Sequence, residues 1–108
     1  MPERPLKAYR LTPAAQADLA AIWTYTAETW SAAQADAYLR GIRKTLDILV
    51  DSPEIARGRA EIAPPVRIHR HRSHVIVYRI EAPYLAVIRI RHGCEDWIDD
   101  PVGGAGEE

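Results

Sequence analysis

Apolar residues recur at every third or fourth position through the first half of the chain and at every second position through much of the second half. Helices are therefore expected first and a sheet afterwards. Leu19, Ile22, Trp23, Thr26 and Trp30 hold helical spacing over residues 13–29, with Thr12 suited to the N-cap and Pro13 to the first helical position. Ser31-Ala32-Ala33-Gln34 reads as a capping box that ends this helix and starts another. Ala35, Tyr38, Leu39, Ile42, Leu46, Leu49 and Val50 then continue the pattern until Asp51-Ser52-Pro53 stops it. So short a link between two amphipathic helices predicts an antiparallel hairpin. Ahead of it, KAYRL at 7–11 predicts a short strand.

Residues 53–65, with one glycine and two adjacent prolines, predict a crossing loop. Beyond them VRIHR (66–70), HVIVYRI (74–80) and YLAVIRIRH (84–92) are β-branched and alternating, with breaks at Arg72-Ser73 and Glu81-Ala82-Pro83. The fold class expected is α+β: an N-terminal strand, then an antiparallel helical hairpin packed on a mainly antiparallel sheet with a C-terminal three-stranded meander. A turn centred on Ala82-Pro83 sorts the last two strands into two faces. Val75, Val77, Ala86, Ile88 and Ile90 share one, the expected seat of the helices. His74, Ile76, Tyr78, Ile80, Leu85, Val87, Arg89 and Arg91 share the other, apolar near the turn and basic at the far end. Residues 93–98 are expected to add a last turn or short helix, within a single domain spanning 1–100, and 101–108 a disordered acidic tail.

With 108 residues, 47% of them hydrophobic, the chain suits one core. It contains no apolar run long enough to span a membrane and starts without the apolar stretch of a secretory signal, so the expected location is cytoplasmic. A lone cysteine, Cys94, excludes an internal disulfide and a multi-cysteine zinc site. The formal net charge of -1 conceals an asymmetry: residues 57–92 carry eight arginines against two glutamates, whereas 93–108 carry six acids and no base. A basic middle facing a polyanion or an acidic protein fits this distribution.

Within RIHRHR at 67–72, His69 and His71 sit at a spacing that can chelate a metal, with His74 nearby. That segment supplies neither carboxylate nor cysteine, and its arginines repel a cation, so exposed edge-strand histidines are the better reading. Arginine dominates over lysine, since Lys7 and Lys44 are the only lysines. Guanidinium pairs with carboxylate as well as with phosphate, so direct nucleic-acid binding and an acidic protein partner both stay open. A ribonuclease needs a base, an acid and cations around the scissile phosphate. Tyr78, His74, Arg89 and Arg91 share a predicted face, yet no lysine lies beyond 44 and no tyrosine or histidine beyond His92. The tryptophans at 23, 30 and 97 are expected in the core, and nothing requires a cofactor.

The order of these elements meets particular residues: LTPAAQADLAAIWTYTAETW (11–30), AYLRGIRKTLDILVDSP (37–53), Gly58-Arg59, HVIVYRI (74–80) and IRIRHGCEDW (88–97). Together they resemble the RelE/ParE superfamily of toxins from bacterial type II toxin-antitoxin modules, its ParE branch most of all, over about residues 7–98. Arg89, Ile90, His92, Gly93, Asp96 and Trp97 match the family's ending. Arg91 departs from it by replacing an aliphatic residue, and Glu95 stands where a basic or small residue is usual.

The resemblance implies a toxin neutralised by a cognate, ParD-like antitoxin in a hetero-oligomer, the antitoxin's C-terminal segment folding across the toxin as it binds. It also implies inhibition of DNA gyrase by binding, so that the chain is not an enzyme. Target contacts are expected from Arg59, Arg67, Arg89, Arg91, His92 and Trp97. Antitoxin contacts are expected from Leu39, Ile42, Ile48 and Leu49, as exposed apolar positions, with Arg70 and Arg79. Two alternatives remain. One is a ribosome-dependent messenger endoribonuclease of RelE type using Tyr78, Arg89 and His92; the other is a relative that has lost toxicity and only binds its antitoxin.

Overall fold

The computed structural model describes residues 6–55, 58–59 and 66–93. Along these run β1 (Ala8–Leu11), α1 (Pro13–Thr29), α2 (Ala32–Asp51), β2 (Gly58–Arg59), β3 (Val66–His71), β4 (His74–Glu81) and β5 (Tyr84–His92). The sheet order is β1-β5-β4-β3-β2, with β1 parallel to β5 and every other pair antiparallel. This is the α+β arrangement expected from the sequence.

Local chemistry explains the helix ends. The Thr12 hydroxyl oxygen accepts from the Ala15 amide at 3.0 Å, Pro13 follows where no amide is needed, and the same hydroxyl donates to the Ile88 carbonyl at 2.7 Å. One residue thus caps α1 and fastens it to β5, and the Thr12 amide adds a 3.1 Å bond to the Val87 carbonyl. Ser31 caps α2 by accepting from the Gln34 amide at 3.0 Å. Where α2 ends, the Tyr78 hydroxyl donates to the Pro53 carbonyl at 2.6 Å, tying the helix exit to the middle of β4.

The core lies between the hairpin and one sheet face. Leu19 and Ile22 of α1 and Ile42, Leu46 and Leu49 of α2 pack with Ile76, Tyr78, Leu85, Val87 and Ile90. Covering a side chain the size of Leu46 contributes about 2 kcal/mol. A second, smaller cluster, Val66 and Val77 with Ile68 and Ile88 against them, occupies the other face.

The helices therefore sit on the face opposite to the one expected. The sheet centre is apolar on both sides, so alternation alone does not say which side is covered. The expected register is also right only near the turn, where Glu81 pairs with Tyr84 and Tyr78 with Val87. The register then shifts, Val77 pairing with Arg89 and His74 with His92, so Ile88 is an extra residue on β5. This bulge brings Ile90 to the helix side and moves Arg91, in register with Val75, to the other side.

The tryptophans also differ from expectation. Trp30, the C-cap of α1, is 72% exposed, and Trp23 is half-buried with its indole N–H donating to Asp36 at 2.9 Å. The buried stripe of α1 consists of Ala15, Leu19 and Ile22, so its final turns lie beyond the core. Trp97, Cys94 and the tail at 101–108 fall outside the described residues. Among the described residues, no helix is long and apolar enough to cross a membrane.

Candidate functional site

The register divides the arginines between two surfaces. Arg70 pairs with Val75, and Val75 with Arg91, so Arg70 and Arg91 flank one residue on the face turned away from the helices. Two positions along β4 from Val77, Arg79 shares that face and pairs with Glu81. The result is an apolar centre of Val66, Ile68, Val77 and Ile88 bordered by guanidinium groups. Arg67, opposite Tyr78, and His92, opposite His74, stand on the helix side. The side chain of Arg59 lies outside the described residues.

Two residues expected at a site are built into the framework instead. Tyr78 is wholly buried and its hydroxyl donates to Pro53, which removes it from any catalytic set. Arg89 bonds Asp18 of α1 through Nε at 2.6 Å and Nη2 at 2.8 Å, while the Asp18 carboxylate also accepts from the Ile90 amide at 2.9 Å. Both side chains are largely covered, at 17% and 14% exposure, so Arg89 is held against α1. The α2 positions sort similarly. Ile42 and Leu49 are fully buried, Leu39 packs partly against the core, and Ile48 stands 54% exposed. Helical spacing marks all four as apolar, but the stripe that meets the sheet is wider than the sequence shows.

On the helix side, a groove of about 1080 Å³ runs between the end of α1, the start of α2 and the β3–β4 turn. Tyr25, Trp30 and Tyr38 form its aromatic wall, and Arg72, His74 and His92 its polar rim. Among the described residues, no aspartate or glutamate lines it. Tyr25 and Trp30 are 68% and 72% exposed. Arg72 occupies the first turn position after β3 with φ of 54°, a left-handed conformation that disfavours any residue with a Cβ.

The polar groups of the groove have defined partners. Tyr38 Oη lies 2.7 Å from His74 Nδ1, and the Ser73 backbone also hydrogen bonds to the Tyr38 hydroxyl. Burial raises the Tyr38 hydroxyl above its ordinary value, with Ser73 and Arg72 acting the other way. The His74 and His92 rings meet edge to face, 5.4 Å between centroids.

His71 sits deeper. Thr45 gives its hydroxyl proton to the Gly41 carbonyl at 3.1 Å, so the 2.9 Å contact between Thr45 Oγ1 and His71 Nδ1 has the imidazole as donor. Nε2 is then a bare, buried lone pair without a hydrogen-bond partner among the described residues. Protonating it would bury an N–H without an acceptor. Burial accordingly lowers the His71 pKa, and Arg72 and then His69 lower it further. The ring lies over Gly41 of α2, where a Cβ would stand in ordinary van der Waals contact with it at 3.5 Å. Among the described residues, no group of three or more His, Cys, Asp or Glu side chains is placed to hold a metal ion.

Tyr25 and Arg72 carried no signal in the sequence. Tyr25 lies off the apolar stripe of α1, and Arg72 looked like one charge among many at a strand break. Tyr38 and Trp30 were visible only as apolar periodicity.

The family profile described as "ParE toxin of type II toxin-antitoxin system, parDE" matches residues 9–97. Toxin ParE1 of Mycobacterium tuberculosis is 38% identical over 85 residues, 78% of this chain and 87% of that protein. Toxin ParE1 of Caulobacter vibrioides is 32% identical over 87 residues, 81% and 90% of the two chains. A solved chain from the chromosomal ParDE TA system of P. aeruginosa has the same fold, with a TM-score of 0.68, 21% identity and coverage of 82% of this chain and 98% of that one. The elements, their order and these likenesses agree, and the chain belongs to the ParE toxin family of type II toxin-antitoxin systems.

Proposed function

We propose that this protein arrests growth by binding and inhibiting DNA gyrase, and that a cognate ParD-like antitoxin neutralises it. The observation that carries the choice of a binding toxin over a ribonuclease is the Tyr78 hydroxyl, which is closed inside the core and donated to Pro53. Arg89, the cation expected beside it, is held by Asp18. Of the three groups that a RelE-type reaction would draw on, only His92 reaches the surface, and one histidine does not supply both an acid and a base together with phosphate charge.

The surface suited to a large target is the sheet face turned away from the helices. Its half-buried Ile68 and Ile88 lie among Arg70, Arg79 and Arg91. An apolar centre with a guanidinium border matches the anatomy of a protein interface. The test is purified gyrase with relaxed plasmid. Inhibited supercoiling that weakens when Arg70 and Arg91 are both replaced by alanine supports the reading. Unaffected gyrase at high toxin excess, with cleaved messenger in a translating extract, would replace it with the endoribonuclease.

A further inference from the structure

We propose that the acidic C-terminal segment of this chain, residues 94–108, docks on the sheet face turned away from the helices, beside Arg70 and Arg91, and shields that face until a target displaces it. The docking is argued from this chain's own residues. The displacement rests on the reading of that face as the target surface.

Gly93 delivers the chain to this face. It follows Arg91 by two positions, and its amide donates to the Ser73 carbonyl at 2.7 Å, closing the end of the sheet. A Cβ at Gly93 would lie 3.0 and 3.1 Å from the two Nη atoms of Arg70, so close that the guanidinium would have to shift. Glycine thus lets the backbone leave β5 directly against Arg70, which shares its side of the sheet with Arg91.

Charge along the face is distributed to match. Near the β4–β5 turn, Arg79 pairs with Glu81, and Arg10 lies 3.8 Å over the centre of the Tyr84 ring. Those cations have partners on the sheet itself. Arg70 and Arg91 stand at the opposite end, where the chain departs, and residues 94–108 carry six acids and no base. The order of the acids fits the surface. Glu95-Asp96 and Asp99-Asp100 bracket Trp97-Ile98, an apolar pair between carboxylates, just as Val77, Ile68 and Ile88 lie between guanidinium groups. Seven residues from 94 to 100 reach about 23 Å when extended, whereas the face from Val75 to Arg79 is about 13 Å long, so the pattern can span it.

Burial favours an occupant from within the chain. Val66, Val75 and Val77 expose 2%, 2% and 0%, as little as the residues beneath the hairpin, although they lie on the other side of the sheet. Neighbouring strands flank such side chains and arginine stems cover the rim, but a covered centre needs something laid across it. A second copy would bring the same guanidinium border against its own kind. Residues 60–65 hold a single acid, Glu61, against the six of the C-terminal segment. Asp99, Asp100, Glu107 and Glu108 lie beyond the residues that the family profile matches, so the contact is a property of this chain.

The test attaches a nitroxide to the full chain as Cys94→Ser with Val102→Cys, which leaves all six acids in place, and follows the methyl signals of Ile68, Val75, Val77 and Ile88. Docking broadens these signals at low salt. The broadening is expected to fade at high salt, and also when Asp99→Asn, Asp100→Asn, Glu107→Gln and Glu108→Gln are combined, with melting curves as the check on folding. Unbroadened methyls at low salt with all six acids present would overturn the proposal. So would broadening in an isotope-labelled chain without nitroxide when it is mixed with the nitroxide-bearing chain, because a second copy would then be the occupant. Supercoiling by purified gyrase reads the consequence: the four-acid variant is expected to reach half-inhibition at a concentration about three- to tenfold lower than the wild type. Equal potency would overturn the shielding. If neither chain inhibits gyrase, the target reading fails, and the methyl signals decide the docking by themselves.

Discussion

Asp18 holds Arg89 with both carboxylate oxygens, at 2.6 and 2.8 Å, and takes the Ile90 amide at 2.9 Å besides. β1 pairs with β5 only as far as Val87, so a side chain from α1 closes the strand's edge just past the end of β1. Replacing Asp18 with alanine leaves a largely covered guanidinium and a backbone amide without this partner. Urea denaturation should show a loss of about 2 kcal/mol. A change under about 0.5 kcal/mol, the range of an ordinary surface substitution, would mean that water substitutes fully for the carboxylate.

Tyr78→Phe separates a structural hydroxyl from a catalytic one. The Pro53 carbonyl loses its 2.6 Å donor, and stability should fall by about 1–2 kcal/mol. Growth arrest by the folded variant should persist at permissive temperature. A variant of wild-type stability that no longer arrests growth would return Tyr78 to the list of acting residues.

His71 makes stability depend on pH in a defined direction. Its folded pKa lies below the ordinary 6.5, so in acid the unfolded chain takes up a proton before the folded chain does. The contribution is therefore complete above about pH 6.5 and declines as pH falls below that value, until the folded pKa is passed. Melting temperatures measured from neutral pH downwards should decline more steeply for the wild type than for His71→Asn. Parallel curves would show that other groups set the acid limb.

Arg72→Gly should stabilise the free protein by about 1 kcal/mol, because glycine adopts a left-handed turn without the steric cost borne by a residue with a Cβ. The midpoint of chemical denaturation reports it. No gain would mean that contacts of the arginine side chain offset the turn strain in the free chain.

The elements could be read from the sequence because each rests on short-range chemistry. Thr12-Pro13 and Ser31 start helices at the positions where cap bonds form, and β-branched alternation marks β3, β4 and β5 within a residue or so. The face that meets the helices could not be read, since Ile76 and Val77 are equally apolar neighbours on β4 and both are buried. The roles of Arg89 and Tyr78 depend on Asp18 and Pro53, which are 71 and 25 residues away in the chain. Likewise, the groove comes from where α1 outruns the core, a property of packing rather than of periodicity.

The extra residue at Ile88 has a consequence for how relatives of this chain should be compared. Strand positions sort by parity, so everything after Ile88 is offset by one from everything before it. His92 reaches the groove and Arg91 the opposite face because of that offset. A relative with the same residues and one fewer position in this strand would exchange them, carrying arginine toward the helices and histidine away. Two chains that look alike when aligned by letters can thus carry different chemistry on the same two faces, and a gap of one at this point is a change of surface rather than a trivial deletion.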